Sequence, residues 1–320
     1  MILSGVVVVD KPRGMTSHDV VGRARRALRT REIGHAGTLD PMATGVLVLG
    51  VGQGTKLLTF LAAEAKVYEA TLVFGVTTET LDADGHEESR AEVPDEARAA
   101  LEALARDPSH VPTVLENALA AERARTEQIP PAYSAIHVDG TRAHVLARQG
   151  VEVSLPARPV AVHELTVEGV VAGTPPSLRL RIRADKGYYV RSLARDFATT
   201  LGTVAHLSAL RRVSSGAFDL EGAYTLDALA ETGPAALLGL AESAARALPT
   251  VILDAAAVVE ARHGKLVHHA DIASGPEGPV AWLGPSRDLV AIGQRTETGE
   301  GRVVRGFSAE PAASIPRPEG

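Results

Sequence analysis

A glycine-punctuated loop that leads straight into an apolar strand constrains this chain more than any other feature. The loop covers residues 34–45 and contains three glycines, and residues 46–51 form an apolar run long enough for a strand inside a core. Because the strand would anchor the loop and the glycines would let a ligand approach its backbone, this stretch is the first candidate for a functional site.

Asp40, which precedes Pro41 in this loop, has two interpretations. The structural one is an N-cap, with proline at the first position of a short helical turn that ends at Gly45. The functional one is that the proline restricts the backbone of Asp40 and so fixes the direction of its carboxylate. Both interpretations are compatible with the sequence.

Apolar periodicity divides the rest of the chain into strands and helices. Strands are predicted at 6–9, 68–74 and 178–184, and helices from 16–17 onward, through 95–125 with breaks at Pro108 and Pro112, and from after 191 to about 201. The strand at 178–184 carries arginines at alternate positions, and therefore has one cationic face. The acidic residues 79–96 are interpreted as an exposed turn, and residues 128–134, with two adjacent prolines, as a loop.

The pattern of residues changes after Pro249, where glycine, proline and aspartate separate short apolar runs. This pattern is typical of a small β-rich domain. We therefore predict an α+β protein with a large domain at 1–248, a β-rich domain at 249–308 and a disordered tail at 309–320.

Composition excludes several kinds of site and location. The chain has no cysteine, which removes disulfides, thiol nucleophiles and iron–sulfur clusters. It has no run of 18 apolar residues, and no cationic stretch precedes the valines near its start, so neither a membrane span nor a secretory signal is expected. These features predict a cytoplasmic protein.

The net charge of −6 hides an uneven distribution. Residues 1–60 carry eight basic and four acidic side chains, and residues 174–216 carry eight and two. If folding joined these segments they would form a positive surface suited to a polyanion. The alternative is a set of solvated arginines on helix faces.

Two other patterns fail as functional motifs. The glycine-rich string at 50–56 satisfies neither nucleotide-binding template, and a turn at the end of a strand explains it better. His268, His269 and Asp271 lack the spacing of metal ligands, because adjacent side chains point apart, and are interpreted as surface residues. No metal site is therefore predicted.

Several separate motifs, in order, closely resemble the TruB family, the bacterial tRNA pseudouridine-55 synthases. They are Asp10-Lys11-Pro12, the loop at 35–45 with Gly-Thr-Leu-Asp-Pro at its centre, Val67-Tyr68, residues 128–135 and 186–191, and the stretch from 205 to 216. The resemblance covers about residues 5–220, and residues 250–308 are similar to the family's small C-terminal RNA-binding (PUA-type) domain. Residues 95–125 are longer than the usual connection in that family.

The resemblance implies a pseudouridine synthase fold with a mixed, largely antiparallel sheet. It also implies isomerisation of uridine to pseudouridine at position 55 of the tRNA T-loop, by base flipping and aspartate catalysis without cofactor or metal. The expected partner is the T-arm of tRNA, without guide RNA or membrane, and the expected state is a monomer. A guide-dependent RNA pseudouridylase and a non-catalytic RNA chaperone are the alternatives.

The resemblance also implies the roles of individual residues. Asp40 would act as a nucleophile on sugar or base, or as a base at C2′, with Arg191 favouring its charged form and Tyr68 stacking on the uracil and accepting the C5 proton. Further family positions are Tyr189 and Leu210, which would line the pocket, His35, which would contact the disturbed T-loop, and Lys11, read as structural or phosphate-facing. Residues 128–150 would grip the substrate, and the cationic strand would bind backbone phosphates.

Overall fold

The computed structural model describes residues 3–171 and 176–308, so the predicted tail at 309–320 lies outside the described residues. The strands are β1 (Gly5–Lys11), β2 (Ile33–Ala36), β3 (Thr44–Val51), β4 (Lys66–Phe74), β5 (Val76–Thr78), β6 (Glu87–Arg90), β7 (Glu127–Gln128), β8 (His137–Val138), β9 (Thr141–Arg142), β10 (Arg158–Pro159), β11 (Val162–Val171), β12 (Ser177–Ala184), β13 (Ala205–Ser215), β14 (Phe218–Asp219), β15 (Thr250–Ile252), β16 (Pro279–Leu283), β17 (Leu289–Arg295) and β18 (Gly301–Gly306). The helices are α1 (Ser17–Ala27), α2 (Leu58–Leu61), α3 (Asp95–Arg106), α4 (Thr113–Arg123), α5 (Ala143–Arg148), α6 (Val190–Thr200), α7 (Leu226–Thr232), α8 (Leu240–Ala247), α9 (Ala255–Arg262) and α10 (Ala270–Ala273), with 3₁₀ turns at Gly52–Leu57 and Gly233–Ala236.

One large sheet organises the first 220 residues. Its strand order is β1-β3-β13-β4-β12-β11, with β2 added to β3 and β14 added to β13. Neighbouring strands are antiparallel except β3 and β13, which run parallel where Thr44 and Gly45 lie beside Arg211 and Arg212. The predicted α+β class and the mixed, largely antiparallel sheet are confirmed.

The strand after the glycine-rich loop is buried on both faces. On β3, Val46 and Val48 belong to one apolar core while Leu47 and Leu49 belong to another, which includes residues of α1 and α7. The loop must turn sharply into this strand at Gly45, whose φ is 103° and where a Cβ would collide with the backbone of Arg212. Only glycine tolerates both conditions, so the parallel contact with β13 fixes the exit of the loop.

The helices at 95–123 complete the core on one face of β4, β12 and β13. Leu101 and Leu104 from α3 and Leu115 and Leu119 from α4 are at most 1% exposed and share a core with Phe197 of α6. The break between α3 and α4 falls at the predicted prolines. The long connection therefore adds apolar area to the core beneath the sheet.

The C-terminal residues form a second, four-stranded sheet of order β15-β16-β17-β18. Leu283 and Ile292 from this sheet, and Phe307 directly after it, lie in one core with Val6 and Val8 of β1. The chain after residue 249 is therefore packed against the large sheet through apolar side chains. Among the residues described, none of the helices combines the length and apolar character that crossing a membrane demands.

Candidate active site

The loop that carries Asp40 is held from below by buried polar side chains. Ser17 is 1% exposed, and its hydroxyl accepts a hydrogen bond from the Leu39 N–H (2.9 Å) and donates to the Leu39 carbonyl (3.2 Å). Ser17 sits at the start of α1 because Thr16 and Asp19 form a capping box that fixes where the helix begins. The position of Asp40 is thus tied to the N-terminus of a helix.

Lys11 supports the same loop and does not face the cleft. It is fully buried, and its ammonium donates to the carbonyl oxygens of Pro12 (3.0 Å), Met15 (2.6 Å) and Pro41 (3.2 Å). Burial lowers its pKa to about 8, with Asp40 and Asp84 opposing the shift. Of the two interpretations, the structural one fits these contacts; the phosphate-facing one and direct substrate binding do not, because all three donors are occupied.

Arg212 is a third support that the sequence did not single out. It is 1% exposed, and its guanidinium donates to the carbonyl oxygens of Val46 (2.7 Å) and Gly37 (3.0 Å). Arg211, its neighbour on β13, points to the other face of the sheet and pairs with Asp10 at 2.8 Å. Strand β13 therefore places part of the second cationic segment beside the first, but both arginines are occupied by structural contacts.

Asp40 itself is an ion-pair partner and not a helix cap. The residues after it form a turn, in which the Ala43 N–H donates to the Asp40 carbonyl (3.1 Å), and β3 begins at Thr44. Arg191 donates through Nε to Oδ2 of Asp40 (2.9 Å) and through Nη2 to Oδ1 (3.1 Å). The Asp40 side chain stays 34% exposed while that of Arg191 is 5% exposed, so the carboxylate is fixed in direction yet open on one side.

Two further N–H donors of Arg191 are also engaged. Nη1 donates to the Thr80 carbonyl and Nη2 to the Tyr133 carbonyl, each at 2.9 Å. The guanidinium is thereby held in one plane by three separate segments of the chain. Arg191 is the second residue of α6, so the helix brings it to the cleft.

A second carboxylate beside Arg191 corrects the interpretation of residues 79–96 as an exposed turn. Asp82 is 6% exposed, with Oδ2 at 3.6 Å from Nε of Arg191. It is fixed by the Thr80 hydroxyl (2.6 Å) and the Asp84 N–H (3.1 Å). The guanidinium therefore lies between two carboxylates, of which Asp40 alone is substantially exposed. The local sequence offers no signal for this burial, since the partner lies more than 100 residues away.

These groups border a cleft of about 850 Å³, a size typical of small-molecule sites. Five of the seven predicted site residues line it: Asp40, Tyr68, Tyr189, Arg191 and Leu210. Tyr68 lies on β4 opposite Ile182, on the sheet face that carries the helices. Burial raises the pKa of Tyr189, so its phenol stays protonated at neutral pH. An acid group, a cation and aromatic surfaces thus converge on one space.

His35, on β2, lies behind the cleft wall. Its ring meets that of His18 edge-on at 5.4 Å, and His18 lines the cleft. Burial, with smaller contributions from His18 and Arg212, lowers the pKa of His35, so its ring is neutral at neutral pH. The predicted contact between His35 and an RNA loop stays a prediction.

The basic side chains that line the cleft come from several segments. Besides Lys66, Arg191 and Arg212 they are Arg142 and Arg148, from the segment after Gln128, and Lys186 before α6. The arginines of β12 do not join them, because Arg181 pairs with Glu69 across the sheet face that Tyr68 does not occupy. Phosphate binding by this strand, expected from its cationic face, would have to occur outside the cleft.

The C-terminal histidines have structural roles. His268 lies 3.2 Å from Glu300 and 3.7 Å from Glu260, and His269 accepts a hydrogen bond from the Asp271 N–H at the start of α10. Within the described ranges, no three histidine or acidic side chains are grouped as metal ligands would be.

Comparisons with known proteins relate the chain to pseudouridine synthases. The sequence model of the "TruB family pseudouridylate synthase (N terminal domain)" matches residues 25–190, and that of the "tRNA pseudouridylate synthase B C-terminal domain" matches residues 191–259. The protein named tRNA pseudouridine synthase B in Thermobifida fusca is 43% identical to this chain, over 94% of this chain and 97% of that protein. The protein of the same name in Mycolicibacterium paratuberculosis is 49% identical, over 71% of this chain and 73% of that protein. A solved Cbf5-Nop10-Gar1 complex contains a chain with the same fold (TM-score 0.67, 24% identity, 95% of this chain and 84% of that one).

Proposed function

We propose that the cleft isomerises uridine to pseudouridine in tRNA with Asp40 as the catalytic residue, because the chain belongs to the TruB family of pseudouridylate synthases. The supporting observation is the two-point ion pair between Asp40 and Arg191, which leaves one side of the carboxylate open to the cleft. A fixed, accessible carboxylate is the group that this reaction needs.

The chemistry sets the demands on the site. The C1′–N1 bond of uridine breaks, the uracil turns, a C1′–C5 bond forms, the C5 proton leaves and N1 gains a proton, with no net oxidation or hydrolysis. Asp40 either attacks the sugar or the base, or removes the C2′ proton; each route uses the anionic carboxylate. Arg191 stabilises that charge and directs the two oxygens, which is a preorganised electrostatic contribution.

The aromatic side chains are suited to a flipped base. A uridine inside a folded T-loop must leave its stack to reach Asp40, and aromatic rings can replace the lost stacking. Tyr68 and Tyr189 line the cleft with Leu210. Tyr68 would stack on the uracil and accept the C5 proton as the product forms.

The cleft cations support binding of the T-arm. Arg142, Arg148 and Lys186 line the cleft and would bind the phosphates that flank a flipped nucleotide, which predicts an affinity that falls with salt. We propose that the target is the uridine at position 55 of the T-loop. We further propose that the protein acts as a monomer without guide RNA, and that residues 249–308 form a PUA-like domain that contacts tRNA elsewhere.

The test is tritium release by the purified protein from tRNA transcribed with C5-tritiated uridine, with no other macromolecule added. A transcript with cytidine at the T-loop target is the matched control. We expect release of the label from one uridine per tRNA, and none of it from the control. Binding without release would favour the RNA chaperone, and release only after addition of guide RNA would favour the guide-dependent enzyme.

A further inference from the structure

Gln128 occupies the point where both ends of a long segment around the cleft meet. It lies on β7, which pairs with β10, so that residues 129–157 leave and return beside it. Gln128 is 2% exposed, and an amide buried to this extent needs partners for its polar atoms.

The partners of the Gln128 amide are both on the backbone of Tyr189. Nε2 donates to the Tyr189 carbonyl (3.1 Å), and Oε1 accepts from the Tyr189 N–H (2.9 Å). The side chain therefore bonds one residue as a neighbouring strand would. Tyr189 has extended backbone angles (φ −106°, ψ 111°), which suit such pairing.

Tyr189 is the residue that caps the N-terminus of α6, and its own side chain makes no capping hydrogen bond to the described residues. Its ring lines the cleft, and Arg191 follows two positions later. A contact that fixes the backbone of Tyr189 thus fixes the start of the helix from which two cleft side chains project. Ser192 (2.9 Å) and Arg195 (3.0 Å) add hydrogen bonds from α6 to the Ile129 carbonyl, but neither touches the backbone of Tyr189.

We infer that Gln128 is a positioning residue for the reaction, whose amide holds the start of α6 so that Arg191 meets both oxygens of Asp40. Of the two hydrogen bonds of that pair, the one from Nη2 to Oδ1, at 3.1 Å, lies near the long end of the usual range of about 2.7–3.2 Å. A small displacement of the helix start would therefore break one of them. This inference rests on the proposed function.

The test compares two identical substitutions. Gln128→Met removes both hydrogen bonds at nearly constant volume. Gln53→Met is the matched control. The Gln53 amide also makes two hydrogen bonds to the backbone of one residue distant in sequence, donating to the Ser308 carbonyl (3.2 Å) and accepting from the Ser308 N–H (2.7 Å). We expect Gln128→Met to lower the single-turnover rate of tritium release about 10²-fold, as for other displaced catalytic groups, with a much smaller loss of affinity for T-arm RNA. Gln53→Met should keep both values.

Three results would overturn the inference: a Gln128→Met rate close to wild type, equal losses of rate and affinity, or an equal rate loss in Gln53→Met. Gln128→Glu covers the case in which the methionine variant fails to fold. It keeps the acceptor for the Tyr189 N–H but sets a carboxylate against the Tyr189 carbonyl, and so should also lose far more rate than affinity; a wild-type rate would overturn the inference. An inactive wild-type protein would instead contradict the proposed function.

Discussion

Replacement of Arg191 by lysine separates the charge of this residue from its geometry. The guanidinium makes four hydrogen bonds, two to Asp40 and one each to the carbonyls of Thr80 and Tyr133. An ammonium keeps the charge but has three donors on a single atom, and cannot span both carboxylate oxygens and both carbonyls. At least one charge-assisted bond to Asp40 is lost.

The structure sets the size of the effect. A hydrogen bond to a charged group contributes about 1.5–3 kcal/mol, and about 2 kcal/mol lost in the transition state alone corresponds to a rate about 30-fold lower. Each of the two partly buried carbonyls, of Thr80 and Tyr133, should lower the free energy of unfolding by about 1–3 kcal/mol if the substitution leaves it without a donor.

The assay is single-turnover tritium release from C5-labelled T-arm RNA, with affinity measured separately by filter binding and stability by urea titration. Arg195→Lys is the control, because Arg195 lies one turn later on α6 and bonds Asp196 and the Ile129 carbonyl instead. A wild-type rate for Arg191→Lys, or a rate loss no larger than that of Arg195→Lys, would refute the role of the two-point geometry.

Three further predictions concern the loop and the cleft. Ser17→Ala should lower the free energy of unfolding, measured by urea titration, by about 1–3 kcal/mol, because the buried Leu39 N–H loses its acceptor. Ser243→Ala is the control and should have a smaller effect. The Ser243 hydroxyl donates to the Gly239 carbonyl, which keeps its backbone donor in the variant. Burial lowers the pKa of Lys11 from 10.5 to about 8. Between these two pH values the unfolded chain binds more protons than the folded one, so the free energy of unfolding should rise with pH. An equal rise in Lys11→Met, measured by urea titration over the same pH values, would contradict this. Tyr68→Leu should weaken T-arm binding by about 1–3 kcal/mol of lost stacking, whereas Tyr68→Phe should retain affinity and slow tritium release; equal affinity losses would argue against stacking.

Local patterns in the sequence were sufficient for four of the six strands in the order of the large sheet, whereas β11 and β13 were not predicted. The apolar run after Gly45, the capping residues before α1 and the alternation along β12 each specify an element through the residues next to it. The prolines that separate α3 from α4 act in the same local way. The family motifs then identified Asp40 and Arg191, which the structure brings to 2.9 Å.

What the sequence could not provide depends on contacts distant along the chain. Asp82 lies in a polar turn that looks solvated, and it is buried because Arg191 arrives from α6. Gln128 bonds a residue 61 positions away. Arg211 and Arg212 are adjacent in a basic segment and cannot be distinguished by charge. Because side chains alternate along β13, Arg211 pairs with Asp10, whereas Arg212 donates to the Gly37 carbonyl in the loop that carries Asp40. A count of charged residues shows neither the direction of each side chain nor its burial.

Catalysis by Asp40 is tested most directly by Asp40→Asn, which retains the size of the side chain and an oxygen that can still accept from Arg191. Asp84→Asn, at an exposed carboxylate that lines the same cleft, is the matched control. Asp40→Asn should bind T-arm RNA as the wild type does and release no tritium above background, while Asp84→Asn should continue to turn over. Sustained pseudouridine formation by Asp40→Asn would show that Asp40 is not the catalytic residue.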